Sequence, residues 1–242
     1  MYFINTESED SMKIENLGRR ILFFIIGTTF NALGITLITK AYLGTSPISS
    51  LPFVLSLGLP PSFGTLTFVF NMIFFFGQIF LLKKAFPKIQ VLQIPVTLFF
   101  SLLIDMFMFF FQNVKPANYF YSLLLLVLGC LVMGLGITLA VGANLVMTPG
   151  NAFVQALSDY TKKPFGNIKI GFDCTLTALA VLSSFILFGT FRGVREGTII
   201  SSILVGSFIN VYQRLLGDFL TGKKKIDADV NVEVEEECLE EM

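Results

Sequence analysis

No Asp, Glu, Lys or Arg occurs between Lys40 and Lys83, nor between Lys115 and Asp159. Each uncharged run exceeds 40 residues, twice the roughly 20 that a helix needs to cross the hydrocarbon core of a bilayer. A chain with two such runs is constrained to an all-α, polytopic membrane protein whose partner is the lipid bilayer. Composition agrees: apolar residues make up 54% of the 242 residues and charged residues 14%, against roughly 25% charged in a soluble domain. Mean hydropathy is +0.75.

The same arithmetic narrows the chemistry. Histidine is absent, which excludes imidazole catalysis and His-ligated metals, and Cys130, Cys174 and Cys238 share no metal-ligand spacing. No metal, cofactor or catalytic residue is expected. No basic stripe with interleaved aromatics supports nucleic-acid binding. A phosphate-binding GxxxxGK[ST] loop is also missing, so any driving force must come from a gradient or a partner protein.

Internal self-similarity sets the organisation. Shifting the chain by 102 residues lays GITLITKAYLGTSPISSLPFVLSLGLPPSFGTLTFVFN (34–71) on GITLAVGANLVMTPGNAFVQALSDYTKKPFGNIKIGFD (136–173) without a gap. Identities include Gly34/Gly136, Thr36/Thr138, Pro47/Pro149, Ser56/Ser158, Gly64/Gly166 and Phe70/Phe172. Matched Pro, Gly and Ser positions argue for duplication over chance alignment of apolar sequence. Residues 17–113 form one membrane repeat and 114–220 the other, between a polar cytoplasmic tail (1–16) and an acidic one (221–242). The latter, KKK followed by EVEEECLEEM, cannot bury a core and is expected to be disordered. The charged start before the run Ile21–Thr39 also fits a signal peptide; membership of the repeat argues against that.

Each half predicts a long span (20–40; 119–142), a short apolar segment (47–57; 149–159), a second span (63–82; 165–189) and a third (89–112; 196–216). An eleven-residue helix is about 16 Å long, half the ~30 Å core. The short segments are therefore expected to re-enter or to form half of a broken helix. Thr45-Ser46-Pro47 and Met147-Thr148-Pro149 put a hydroxyl residue before proline, the arrangement favoured at a helix N-cap and first position. The plainer alternative is a Thr-Pro cap at the membrane surface. Six spans in two inverted three-helix repeats place Lys13, Arg19, Arg20, Lys83, Lys84, Lys88, Lys162, Lys163, Arg214 and the lysines at 223–225 inside, with Lys115 outside. Only Arg192 and Arg195 violate that rule. Both termini are then cytoplasmic, and inverted repeats with discontinuous helices place a site near the midplane.

Candidate substrate-binding residues are Thr45, Ser46, Asn71, Thr148, Asn151 and Asp173. Asp173 lies eight residues after Phe165, as Asn71 does after Phe63. A carboxylate at that depth can take a coupling proton, bind a cation or hydrogen-bond a solute; it can equally pair with Lys169 one turn earlier. Asp105, in FSLLIDMFMFF, is a second candidate for proton or ion coupling, or a structural partner for a lysine on another helix. Arg192, Arg195 and Glu196 are read as an ion pair that seats a loop. Asn144, beside the second broken element, is a hydrogen-bonding candidate.

LGTSPISSLPFVLS, LQIPVTLFFSLLIDMFM, ANLVMTPGNAFVQALSDYTKKPFGNIKIGFD and VREGTIISSILVG resemble the YczE/YitT-type bacterial integral membrane proteins over residues 17–216. The combination of TSPISSLP, MTPG, KKPFG and REGTII is similar to the YczE-like group. The resemblance implies a bacterial cytoplasmic membrane protein and links some relatives to export or to secondary-metabolite production; it carries over no site residue. Three function classes compete. A secondary transporter or exporter of a small-molecule or ion substrate uses a midplane cavity, and a channel is a variant of it. A scaffold or accessory protein acts through its tails and lipid-facing surfaces, as part of a homo-oligomer or with a partner protein. An intramembrane enzyme is disfavoured, because GFDC is not the GxGD pattern of aspartyl proteases and no GxSG motif occurs.

Overall fold

The computed structural model describes residues 17–83, 86–143, 145–163, 165–190 and 192–221. The expected tails and Asn144 lie outside these residues, apart from Thr221. The described chain is all helical: α1 (Leu17–Lys40), α2 (Pro47–Gly58), α3 (Phe63–Leu82), α4 (Gln93–Phe110), α5 (Tyr119–Gly142), α6 (Pro149–Thr161), α7 (Phe165–Phe188) and α8 (Glu196–Thr221). Six helices are long and apolar enough to cross a membrane, and α2 is a shorter apolar helix.

Boundaries differ from expectation in two places. The third span of the first half begins as a 3-10 turn, Lys88–Leu92, before α4. Pro95 falls in the first turn of α4, where its missing N–H would have no helical partner anyway. At the other end, α8 runs past residue 216 to Thr221.

The packing is organised around α1 and α5, which make the most extensive helix–helix contact. Glycines allow it. A Cβ on Gly27 would lie 2.5 Å from the Ala140 amide nitrogen, and one on Gly34 the same distance from the Met133 backbone. A Cβ on Gly129 would meet Ile38 at 2.8 Å, and one on Gly136 would strike the Asn31 amide. Positions rise along α1 as they fall along α5, so the two helices are antiparallel. Moreover, the 102-residue shift exchanges these contacts: Gly27–Ala140 becomes Gly129–Ile38, and Gly34–Met133 becomes Gly136–Asn31.

The same exchange relates other pairs. α1 packs on α4 as α5 packs on α8; α2 packs on α7 as α6 packs on α3; and α2 meets α3 as α6 meets α7. Two apolar clusters result. One joins Ala32, Ile35, Ile38, Ile104, Leu126 and Cys130 around the α1–α5 contact. The other gathers Leu51, Val54, Phe74, Leu176 and Ala180, flanked by Phe153 and Phe172, around the two short helices. The exchange fails at α3 and α4, which pack closely, with the Cβ position of Gly64 blocked by the Ser101 carbonyl. No comparable contact joins α7 to α8 among the described residues.

Gly34→Ala is expected to destabilise the protein by about 1–3 kcal/mol, because backbone rather than a movable side chain opposes the added methyl. Gly171→Ala, with nothing within 4 Å of its Cβ position, is expected to melt at or slightly above wild type. Thermal unfolding in detergent checks both; equal losses would contradict the close approach.

Candidate functional site

Pro47 and Pro149 occupy the first positions of α2 and α6, and the preceding Ser46 and Thr148 are extended N-cap residues with ψ of 150° and 142°. Neither hydroxyl makes the side-chain cap bond. The early N–H groups of both helices therefore keep their positive dipole ends without that satisfaction. The two starts meet: the Ile48 Cδ1 atom lies 3.2 Å from the Cβ position of Gly150. These are equivalent second positions of the two helices. Pro52 inside α2 also removes the N–H that would bond the Ile48 carbonyl.

The surroundings of the two starts differ. Thr45 is fully buried and Ser46 is 8% exposed. The Thr45 amide donates to Thr198 Oγ1 at 3.3 Å, and its hydroxyl lies 3.1 Å from Thr39 Oγ1. The start of α8 closes over this loop, with the Gly197 amide donating to the Leu43 carbonyl at 2.8 Å. The connection before α8 is itself held by Ser184, whose hydroxyl donates to the Thr190 carbonyl at 2.8 Å and accepts from the Arg192 amide at 2.6 Å. Arg195 pairs with Glu196 at 3.1 Å and reaches the Tyr42 carbonyl at 3.4 Å. In the second half, Met147 and Thr148 are exposed.

The remaining candidates are dispersed. Asn151 is half-buried in the first turn of α6. Asn71 donates to the Thr67 carbonyl one turn back at 2.9 Å. Asp173 accepts from Lys169 Nζ at 2.7 Å, with both side chains about a quarter exposed. No hydrogen bond joins Asn71 to Asp173 among the described residues. Asp105 receives the Ser62 hydroxyl at 2.6 Å and the Gly64 amide at 2.7 Å. Its carboxylate thus holds the N-terminus of α3, where negative charge is favoured.

Several polar residues with buried atoms were not among the candidates. Gln78 and Gln93, 1% and 0% exposed, exchange amide bonds at 3.2 and 3.3 Å. Gln78 also donates to the Pro149 carbonyl at 3.0 Å, so the pair seats the start of α6, while Gln93 donates further to Gln90. The signal was present: Gln93, Thr97, Ser101 and Asp105 recur every four residues on α4, one face of a helix. Thr97 and Ser101 are buried there, and their hydroxyls have no partner among the described residues. Asn31, half-buried as a residue, has a buried Oδ1 that likewise has no partner among the described residues, and its backbone amide lies against Gly136.

No group of three or more His, Cys, Asp or Glu residues able to hold a metal occurs among the described residues. In comparisons with known proteins, residues 18–214 match the model of a family of unknown function, DUF6198. No curated protein and no solved structure matches the chain.

Gln78→Leu is expected to cost about 1–3 kcal/mol, since it leaves the Gln93 amide and the Pro149 carbonyl short of a buried partner. Gln78→Leu with Gln93→Leu is expected to cost less than the sum of the single changes. A double-mutant cycle on thermal unfolding measures the difference, and strict additivity would dissolve the pair.

Proposed function

The chain belongs to the DUF6198 family, whose function is unknown, and we propose from its geometry that it is a secondary transporter or exporter of a small organic solute. The two halves are read as inverted repeats, with α2 and α6 as re-entrant half-helices whose starts meet near the midplane. The antiparallel, exchangeable contacts of α1 and α5 support that reading. Two positive helix ends favour an anionic or carbonyl-bearing group on the solute. Thr45, Ser46, Asn71, Thr148, Asn151 and Asp173 are its proposed surroundings, and the charge-sign pattern of the loops favours a cytoplasmic membrane with both termini inside.

One observation carries the proposal. The exchange that relates the two halves holds for most helix contacts and fails for exposure: Ser46 is 8% exposed beneath α8, whereas its equivalent Thr148 is exposed. Two copies of one motif in two states are what alternating access requires, because swapping the states of the repeats moves the opening to the other face. Proton or cation binding at Asp173 would compete with Lys169 and couple to that swap. The exposed outer surfaces of α7 and α8, only 17% and 11% buried over their spanning windows, favour the second reading, an accessory protein that docks through them.

A thermal-stability screen against metabolites and ions tests the first reading, with Ser46→Ala and Asp173→Asn beside wild type. A ligand of the folded state raises stability by about 2.7 kcal/mol at a hundredfold excess over its Kd. The expected result is a hit weakened in both variants. In a background lacking Cys130, Cys174 and Cys238, that ligand is expected to change maleimide labelling of Ser46→Cys and Thr148→Cys in opposite directions. Equal stability throughout, with no hit, would favour the accessory reading.

A further inference from the structure

At the start of α5, a groove of about 340 Å³ opens between the connection Val114–Ala117 and the first turns of the helix. Its α5 wall is Tyr121, Leu124, Leu125 and Leu128, a stripe at helical spacing that runs about 10 Å along the helix axis. Tyr121, Leu124 and Leu128 are 55%, 57% and 47% exposed. Lys115 lines the same groove. Lys115 has no ion pair among the described residues; the pairs formed there are Lys169–Asp173 and Arg195–Glu196.

A cation with no ion pair among the described residues, beside an apolar stripe on a helix long and apolar enough to cross the bilayer, matches the chemistry of a phospholipid with a negative headgroup. A phosphate beside Lys115 would offset its charge. One acyl chain would then cover the leucine stripe, and Tyr121 would sit at headgroup depth, where its ring is apolar and its hydroxyl wet. A zwitterionic lipid supplies the chain but not the net charge, and a free anion supplies the charge but leaves the stripe uncovered. We propose that this groove is a binding site for an anionic phospholipid, with Lys115 holding the phosphate and Leu124 and Leu128 the acyl chain.

Native mass spectrometry of the full-length protein, with thermal unfolding in parallel, tests this using dioleoyl phosphatidylglycerol, dioleoyl phosphatidylcholine and soluble glycerol 3-phosphate. Phosphatidylglycerol is expected to be retained at least tenfold better than phosphatidylcholine and to raise the Tm, with glycerol 3-phosphate inert. Lys115→Gln is expected to abolish the preference for phosphatidylglycerol, and Lys115→Arg to keep it. Leu128→Trp, which fills the groove without touching the charge, is expected to weaken retention. Lys115 is exposed, so its replacement leaves the folded core intact, and wild-type melting without lipid confirms this. Equal retention of the two lipids, or an unchanged preference in Lys115→Gln, would overturn the proposal. An equal Tm rise with glycerol 3-phosphate would overturn it in favour of a soluble-anion site.

Discussion

Apolar side chains gain nothing by leaving lipid for one another, so helices in a bilayer associate through close packing and shared polar contacts. Here the closest packing is between α1 and α5, at Gly27 and Gly34 on one helix and Gly129 and Gly136 on the other. Each pair of glycines is seven residues apart, two helical turns, and so lies on one face. Side chains at these positions would push the backbones apart, and α4 and α8 pack on the outside of the same pair. The helices of the second cluster reach this pair through α4 and α8, by the contacts of α3 with α4 and of α2 with α8. Because the α1–α5 contact is antiparallel, the short helix that follows α1 and the one that follows α5 approach from opposite ends of the pair.

That geometry explains why two helices of 12 and 13 residues persist. At about 18 and 20 Å neither can cross a bilayer core, and each leaves backbone groups unsatisfied at its start. They are buried against protein instead: α2 on α7 and α8, α6 on α3 and α7. Polar side chains do the remaining work. Thr198 accepts from the Thr45 amide before α2, and the Gln78–Gln93 pair supplies a donor to the Pro149 carbonyl at α6. Equivalent places in the two halves are thus stabilised by unrelated residues, so the architecture is duplicated more faithfully than the side chains that maintain it.

The helical class, six long spans and both short helices were legible because hydrophobic length and proline position are local properties. Ser46-Pro47 and Thr148-Pro149 located the two helix starts to the residue. What the local reading could not supply was which hydroxyls cap: both N-cap side chains are unused for that purpose, while Thr45 is satisfied by residues far along the chain. The same limit applies to Gln78 and Gln93, whose importance lies in facing each other across a helix hairpin. A polar residue in an apolar span can be noticed from sequence, but its partner is fixed by how two helices dock. Asp173 shows the converse. Its partner Lys169 is one turn away on the same helix, so the ion pair was readable from spacing alone.

The two intramembrane carboxylates therefore differ in what can be asked of them. Asp105 joins α4 to the start of α3 through the Ser62 hydroxyl and the Gly64 amide. Withdrawing its charge would free a helix end and disturb the closest part of the α3–α4 contact, where the Gly64 Cβ position is already blocked. Asp173 and Lys169 sit on one helix and are both partly exposed; their bond can open by side-chain rotation, with no helix displaced. A coupling group must change partner in every cycle, whereas a positioning group must not. Of the two, the proposed coupling role falls to Asp173, and Asp105 is the clasp that keeps α3 registered on α4.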